Sequence, residues 1–322
     1  MRGRDTLHTG KVVIEGVSLS VTLAGAETAP ALLLLHGMPN ASRMFLPVIP
    51  ELAPHCRIVA PDLPGLGGSD AIENATFDRF TDLIEKLLDQ LGIGKTFIYL
   101  HDYGAPVGLG IAMRRPERVL GLIIQNANAH LSGHGPEWAE VKAFWSHSNP
   151  DNTEAAFAHL TFDGTRSQYV NGVPDDIAAL MDPKDWEEDW RVMSLPGRLA
   201  LQKDLVRDYG HYVDRFPQVA AYLKSHQPPA IMLWGRHDPF FALEETQSWL
   251  EDLPRMEAHI LDGPHLLLET HADICAALMK RFVLHGACET GSLLGCDSQR
   301  SAAHGEIAGG DRGFQGEPQV HG

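Results

Sequence analysis

The chain has 322 residues, of which 44% are hydrophobic and 21% charged, and at roughly 100–200 residues per domain it makes two packed units or one large core with an insertion. Its 26 Lys and Arg against 42 Asp and Glu give a net charge of −16, a surface that repels phosphate backbones and anionic bilayers, so nucleic acid and membrane are excluded as partners. The four cysteines (Cys56, Cys275, Cys288 and Cys296) are too sparse for a disulfide framework, which points to a reducing, cytoplasmic setting.

In chain order, Lys11–Glu15 and Ser18–Ala24 read as two strands of a hairpin turning at Gly16. Ala31–Leu35 and Arg57–Pro61 are continuous apolar runs, the pattern of strands buried on both faces. Phe77–Leu91 has helical period, with Phe77, Phe80, Leu83, Ile84, Leu87, Leu88 and Leu91 on one face. Thr96–His101, Val119–Asn126, Ala230–Gly235 and Ala258–Asp262 are further buried strands. Strands alternating with helices imply a parallel sheet covered on both sides. The alternation lapses over 131–222, which has helical texture and holds four of the six tryptophans (Trp138, Trp145, Trp186 and Trp190). That stretch reads as a helical lid inserted between two core pieces, 1–130 and 223–286. The remainder, 287–322, has eight glycines and few aliphatics, the composition of a disordered tail. Cys288, Cys296 and His304 within it match no zinc spacing. The basic start, Met1–Asp5, is followed by no apolar stretch, and the run Ala31–Leu35 is far short of the ~20 residues a bilayer requires.

Three segments follow predicted strands at the sheet edge where ligands bind in open α/β sheets. Leu100-His101-Asp102-Tyr103-Gly104-Ala105 joins a strand to a helix, with two small residues that permit a sharp turn. This is the pattern of a nucleophile elbow with Asp102 at its tip. Asp238 follows the strand Ala230–Gly235, and His265 follows the last strand. The chain order is therefore nucleophile, acid, histidine. His36-Gly37-Met38-Pro39 follows the strand Ala31–Leu35, where the N–H of Met38 can pair with that of Tyr103 to cradle an oxyanion. His36 and His101 read as packing residues beneath the turns. The glycine-rich run Asp62–Asp70 lacks the lysine of a phosphate loop and reads as a structural turn.

These residues resemble the α/β-hydrolase superfamily over about residues 10–285, within it the branch with an aspartate nucleophile that holds epoxide hydrolases and haloalkane dehalogenases. The resemblance implies an eight-stranded, mostly parallel sheet with helices on both faces and a cap inserted after the sixth strand. It also implies two-step chemistry without metal or cofactor. Asp102 displaces a leaving group from a saturated carbon to form an alkyl ester. His265, oriented by Asp238, then activates the water that cleaves it. The substrate is a small molecule with an electrophilic sp³ carbon.

Within that branch, dehalogenases hold the halide with an indole after the nucleophile and an Asn after the His-Gly pair. Those positions are Tyr103 and Met38 here. Epoxide hydrolases protonate the ring oxygen with cap tyrosines, and the His-Gly-Met-Pro run matches their His-Gly-x-Pro motif. The cap offers Tyr169, Tyr209, Tyr212 and Tyr222; the family's order, one phenol mid-cap and one near its end, favours Tyr169 and Tyr209, with Tyr103 as a further donor. An epoxide hydrolase is the leading reading, a dehalogenase the nearest rival, and ester or lactone hydrolysis the third. A binding module that kept only the fold is the alternative from another class. A homodimer contact would fall on the apolar surface of the lid.

Overall fold

The computed structural model describes residues 7–289. Its centre is an eight-stranded sheet in the order β1-β2-β4-β3-β5-β6-β7-β8. The strands are β1 (His8–Ile14), β2 (Val17–Ala24), β3 (Ala31–Leu35), β4 (Arg57–Pro61), β5 (Thr96–His101), β6 (Val119–Gln125), β7 (Ala230–Gly235) and β8 (Glu257–Leu261). β1, β2 and β4 pair antiparallel, and all pairs from β4 through β8 are parallel. Gly16 takes φ +83° at the hairpin turn, a conformation glycine adopts without steric cost.

The continuous apolar runs are continuous because both faces of the sheet are covered. Side chains alternate between the two sides. Leu33, Leu35, Ile98 and Leu100 enter one hydrophobic cluster, and Leu32, Leu34, Phe97 and Tyr99 enter the other. The helix Phe77–Gln90 buries Phe77, Phe80, Leu83, Ile84, Leu87 and Leu88. It starts at Thr76, whose side chain accepts from the Arg79 N–H at 3.1 Å. Cys56 and Cys275 are fully buried and pack as small apolar residues.

Between β6 and β7 the chain runs through helices joined by loops and contributes no strand to the sheet, a helical insert that fits a cap. Its last helix, Phe216–His226, runs four residues past the expected lid end at 222. The insert is fastened to the core by Arg43, which pairs with Asp185 at 2.8 Å and Asp189 at 2.6 Å. Arg198 adds a second tie through the carbonyls of Gly65, Gly67 and Ser69. The Asp62–Asp70 run is the structural turn its composition implies. The Asp62 carboxylate accepts from the Ser42 and Gly68 N–H groups, both at 2.8 Å. The final helix, Leu268–Glu289, includes 287–289, so a tail starting at 287 is corrected at those positions. The rest of the expected tail, with Cys296 and His304, lies outside the described residues. Among the described residues no helix is long and apolar enough to cross a membrane, and no cluster of His, Cys, Asp or Glu has the arrangement of a metal site.

Candidate active site

The register places the C-terminal ends of the central strands side by side: Leu35 beside Leu100, His101 beside Gln125, and Gln125 beside Leu233. Just past β5, Asp102 takes φ +47°, a left-handed conformation that costs a non-glycine residue about 1–3 kcal/mol. The turn is held by its neighbours. The Asp102 N–H donates to the Asn126 carbonyl at 3.3 Å, and the Asp102 carbonyl accepts from the Ala105 N–H at 2.9 Å. The helix Gly104–Arg114 begins there, and a Cβ at Gly104 would lie 2.4 Å from the Leu35 carbonyl oxygen. A Cβ at Gly37 would lie 2.2 Å from the Cβ of Asp102. Both glycines are therefore required by close approach.

Asp102 is 8% exposed. Its Oδ1 accepts the Met38 N–H at 2.7 Å. Burial raises its carboxyl above the usual carboxylate range, while His265 and the N–H groups of Met38 and Tyr103 oppose the rise. The two expected oxyanion donors thus already stabilise the resting carboxylate. The Met38 loop is set by His36, whose Nδ1 donates to the Gly37 carbonyl and whose Nε2 accepts from the Leu63 N–H, both at 2.9 Å. Burial lowers the pKa of His36, which fits that neutral tautomer.

His265 Nδ1 lies 2.7 Å from Asp238 Oδ2. That bond leaves Nε2 on the far side of the ring, buried and, among the described residues, without a hydrogen-bond partner. Burial alone would depress the imidazole pKa, but the charges of Asp238 and Asp102 outweigh it and raise the value. The ring is held between Phe241, stacked at 5.1 Å and 8°, and His101 at 4.7 Å. His101 itself is held well below the ordinary histidine pKa by burial and by neighbouring His265. It therefore packs as a neutral ring.

Asp238 is fixed by four hydrogen bonds. Oδ1 accepts from the N–H groups of Phe240 and Phe241 at 2.7 and 2.9 Å. Oδ2 is shared by His265 and Asn126 Nδ2, the latter at 2.8 Å. Asn126 also clamps the end of β7, donating to the Gly235 carbonyl at 3.0 Å and accepting its N–H at 2.9 Å. The sequence shows Asn126 only as an amide where the β6 end lacks a carboxylate, and its role as a clamp emerges from the fold. Asn126→Ala should lower turnover of any substrate the wild type hydrolyses by about ten- to a hundredfold with little change in KM. Steady-state kinetics beside a thermal melt check this, and a variant with unchanged kcat would show that Asp238 is held without it.

A cavity of about 110 Å³ opens over Asp102. At the reacting end it is lined by Met38, Tyr103, Tyr209, Phe240 and Phe241, and on the cap side by Trp138, Trp145 and Gln168 among others. The hydroxyl of Tyr209 is buried and, among the described residues, has no hydrogen-bond partner. Burial keeps Tyr209 and Tyr103 protonated far above neutral pH, and the Asp102 charge acts on both phenols in the same direction. The two indoles of the cavity have committed their N–H groups to backbone carbonyls, Trp138 to Phe240 and Trp145 to Val206.

Tyr169, expected beside Tyr209, turns elsewhere. Its hydroxyl donates to Asp189 at 2.6 Å and accepts from Arg43 at 3.0 Å and Asn40 at 3.2 Å. Adjacent helical residues point about 100° apart. In the helix Phe162–Val170 this aims Gln168 at the cavity and Tyr169 at the Arg43 loop.

A family model for the alpha/beta hydrolase fold matches residues 30–272. The chain belongs to the α/β-hydrolase family and is a hydrolase of that fold. It is 33% identical to an uncharacterized hydrolase of Saccharomyces cerevisiae, over 80% of this chain and 91% of that one. It is 30% identical to a haloalkane dehalogenase of Bradyrhizobium diazoefficiens, over 80% and 88% of the two chains. It is 26% identical to epoxide hydrolase 4 of Mus musculus, over 83% and 77%. The relationship to epoxide hydrolases and haloalkane dehalogenases is thus one of distant homology, in the branch with an aspartate nucleophile.

Proposed function

We propose that this hydrolase opens epoxides to diols through an ester on Asp102. The observation that carries the reading is the Tyr209 hydroxyl, unpaired among the described residues in the cavity that Asp102 lines, while both cavity indoles have spent their N–H groups. A departing halide needs N–H donors. A departing ring oxygen needs a proton, and a phenol supplies it.

With Oδ1 held by the Met38 N–H, the second carboxylate oxygen of Asp102 attacks an epoxide carbon. The ring C–O bond breaks, and the oxygen takes the Tyr209 proton with Tyr103 as the second hydroxyl beside it. Nε2 of His265 next removes a proton from water, and the resulting hydroxide adds to the ester carbonyl. Negative charge on Oδ1 rests on the Met38 and Tyr103 N–H groups. Collapse expels the diol oxygen, which takes the proton from His265, and the Asp102 carboxylic acid left behind gives its proton to the Tyr209 phenolate, so that carboxylate and phenol are both restored. Asp238 keeps the imidazole in the required tautomer and stabilises its cation. Tyr169 has no part in this sequence; its hydroxyl belongs to the tie between cap and core.

The test is a panel of short-chain epoxides and matched chloroalkanes, assayed for diol and for free halide. Diol should form and halide should not. Tyr209→Phe should reduce the rate of Asp102 alkylation by about 10²–10⁴-fold. Halide release without diol would reverse the assignment in favour of a dehalogenase. Product from esters or lactones alone would assign the third reading.

A further inference from the structure

Three polar side chains of the cavity lining, Gln168, Glu137 and His159, are left unused by the two chemical steps. Gln168 is 7% exposed and lines the cavity. Among the described residues no hydrogen bond ties down its carboxamide, which is therefore open to a ligand in the cavity. Val141 and Val206, also on the lining, have no polar side-chain group, and the Trp145 N–H is taken by the Val206 carbonyl. The charged members of the lining are both carboxylates, Asp102 and Glu137, and among the described residues no Lys or Arg lines the cavity. His159, also on the lining, is held neutral, its pKa lowered to about 4 by burial.

We propose that Gln168 is a specificity residue that takes a neutral oxygen, as ether, hydroxyl or carbonyl, on the part of the substrate that does not react. The preferred substrates are then small uncharged epoxides bearing one such group. This rests on the epoxide reading of the same cavity. A carboxamide both donates and accepts, so it serves each of these oxygens. A substrate carboxylate would meet two negative charges with no counter-charge, and the desolvation it undergoes would go uncompensated.

The experiment compares glycidyl methyl ether, 1,2-epoxypentane and an oxirane carboxylate on the wild type and on Gln168→Leu, a change that keeps the side-chain bulk. The wild type should favour the ether over the alkyl epoxide by about tenfold in kcat/KM, the worth of one hydrogen bond. Gln168→Leu should erase that preference by lowering kcat/KM for the ether relative to the alkyl epoxide, and the carboxylate should be poor with both proteins. Equal wild-type rates on ether and alkyl epoxide, a preference that survives in Gln168→Leu, or a favoured carboxylate would overturn the proposal. A second readout does not depend on turnover. Binding of 3-methoxypropane-1,2-diol and pentane-1,2-diol is followed by the fluorescence of Trp138 and Trp145. If no epoxide reacts, the epoxide reading fails. Tighter binding of the ether diol by the wild type alone would still support Gln168, and identical binding by both proteins would overturn it.

Discussion

His265→Gln should trap the enzyme as an ester on Asp102. Glutamine retains packing bulk between Phe241 and His101, which contact the native ring at 5.1 and 4.7 Å, but it has no basic nitrogen. Alkylation needs only the Asp102 carboxylate and the cavity hydroxyls, so it proceeds. Hydrolysis needs Nε2, the buried nitrogen without a hydrogen-bond partner among the described residues. Loss of a general base costs about 10²–10⁴-fold, and because it falls on the second step alone, the first-step product accumulates. Mass spectrometry of the intact protein should show one added epoxide, and digestion should place it on the peptide bearing Asp102. Asp102→Asn in the same background removes the nucleophile and should abolish the adduct. Accumulation of adduct on another residue, or steady turnover by His265→Gln, would defeat the two-step mechanism.

The strand runs were legible in the sequence because burial on both faces leaves an uninterrupted apolar signature; Ala31–Leu35, Arg57–Pro61, Thr96–His101 and Ala230–Gly235 have the same bounds in the structure. Asp102, Asp238 and His265 were legible for a different reason. Each follows a parallel strand, and parallel strands deliver their C-terminal ends to one edge. The structure supplies the pairing itself, a 2.7 Å contact between Asp238 and His265. Tyr169 shows where such reasoning stops. Spacing along the chain assigns a tyrosine to the middle of the cap, but a rotation of one residue on a helix decides whether it faces the cavity. That rotation is set by the long-range pull of Arg43 and Asp189. Asn126 was hidden by its chemistry. An amide at a strand end carries no charge signal, and its value comes from two neighbours, Gly235 and Asp238, more than 100 residues away.

The two chemical steps should separate on the pH axis. His265 must be neutral to deprotonate water; in the resting enzyme Asp238 and Asp102 raise its pKa against burial, and once Asp102 is an ester its charge is gone and Asp238 alone supports the imidazolium. As pH falls through the imidazole pKa of that ester, imidazolium accumulates and hydrolysis declines tenfold per unit. Asp102 must be ionised to attack. Its carboxyl is raised by burial, but the charge on His265 opposes the rise. The first proton taken up by this coupled pair therefore goes to the imidazole, and the cation it creates keeps the nearby carboxylate charged to lower pH. In a window below the His265 limb, attack continues while hydrolysis stalls. Wild-type enzyme quenched after mixing with epoxide in that window should carry the Asp102 adduct that at neutral pH only His265→Gln displays. The same shift has a consequence for stability. Because the folded imidazole binds its proton more tightly than the unfolded one, its contribution is complete below about pH 6.5 and is lost as pH rises through the folded-state value. Rapid-quench rates of adduct formation and decay across pH measure both limbs. If formation and decay fall together at one pH, Asp102 and His265 do not titrate as a pair in this order, and the division of labour between carboxylate and imidazole is wrong.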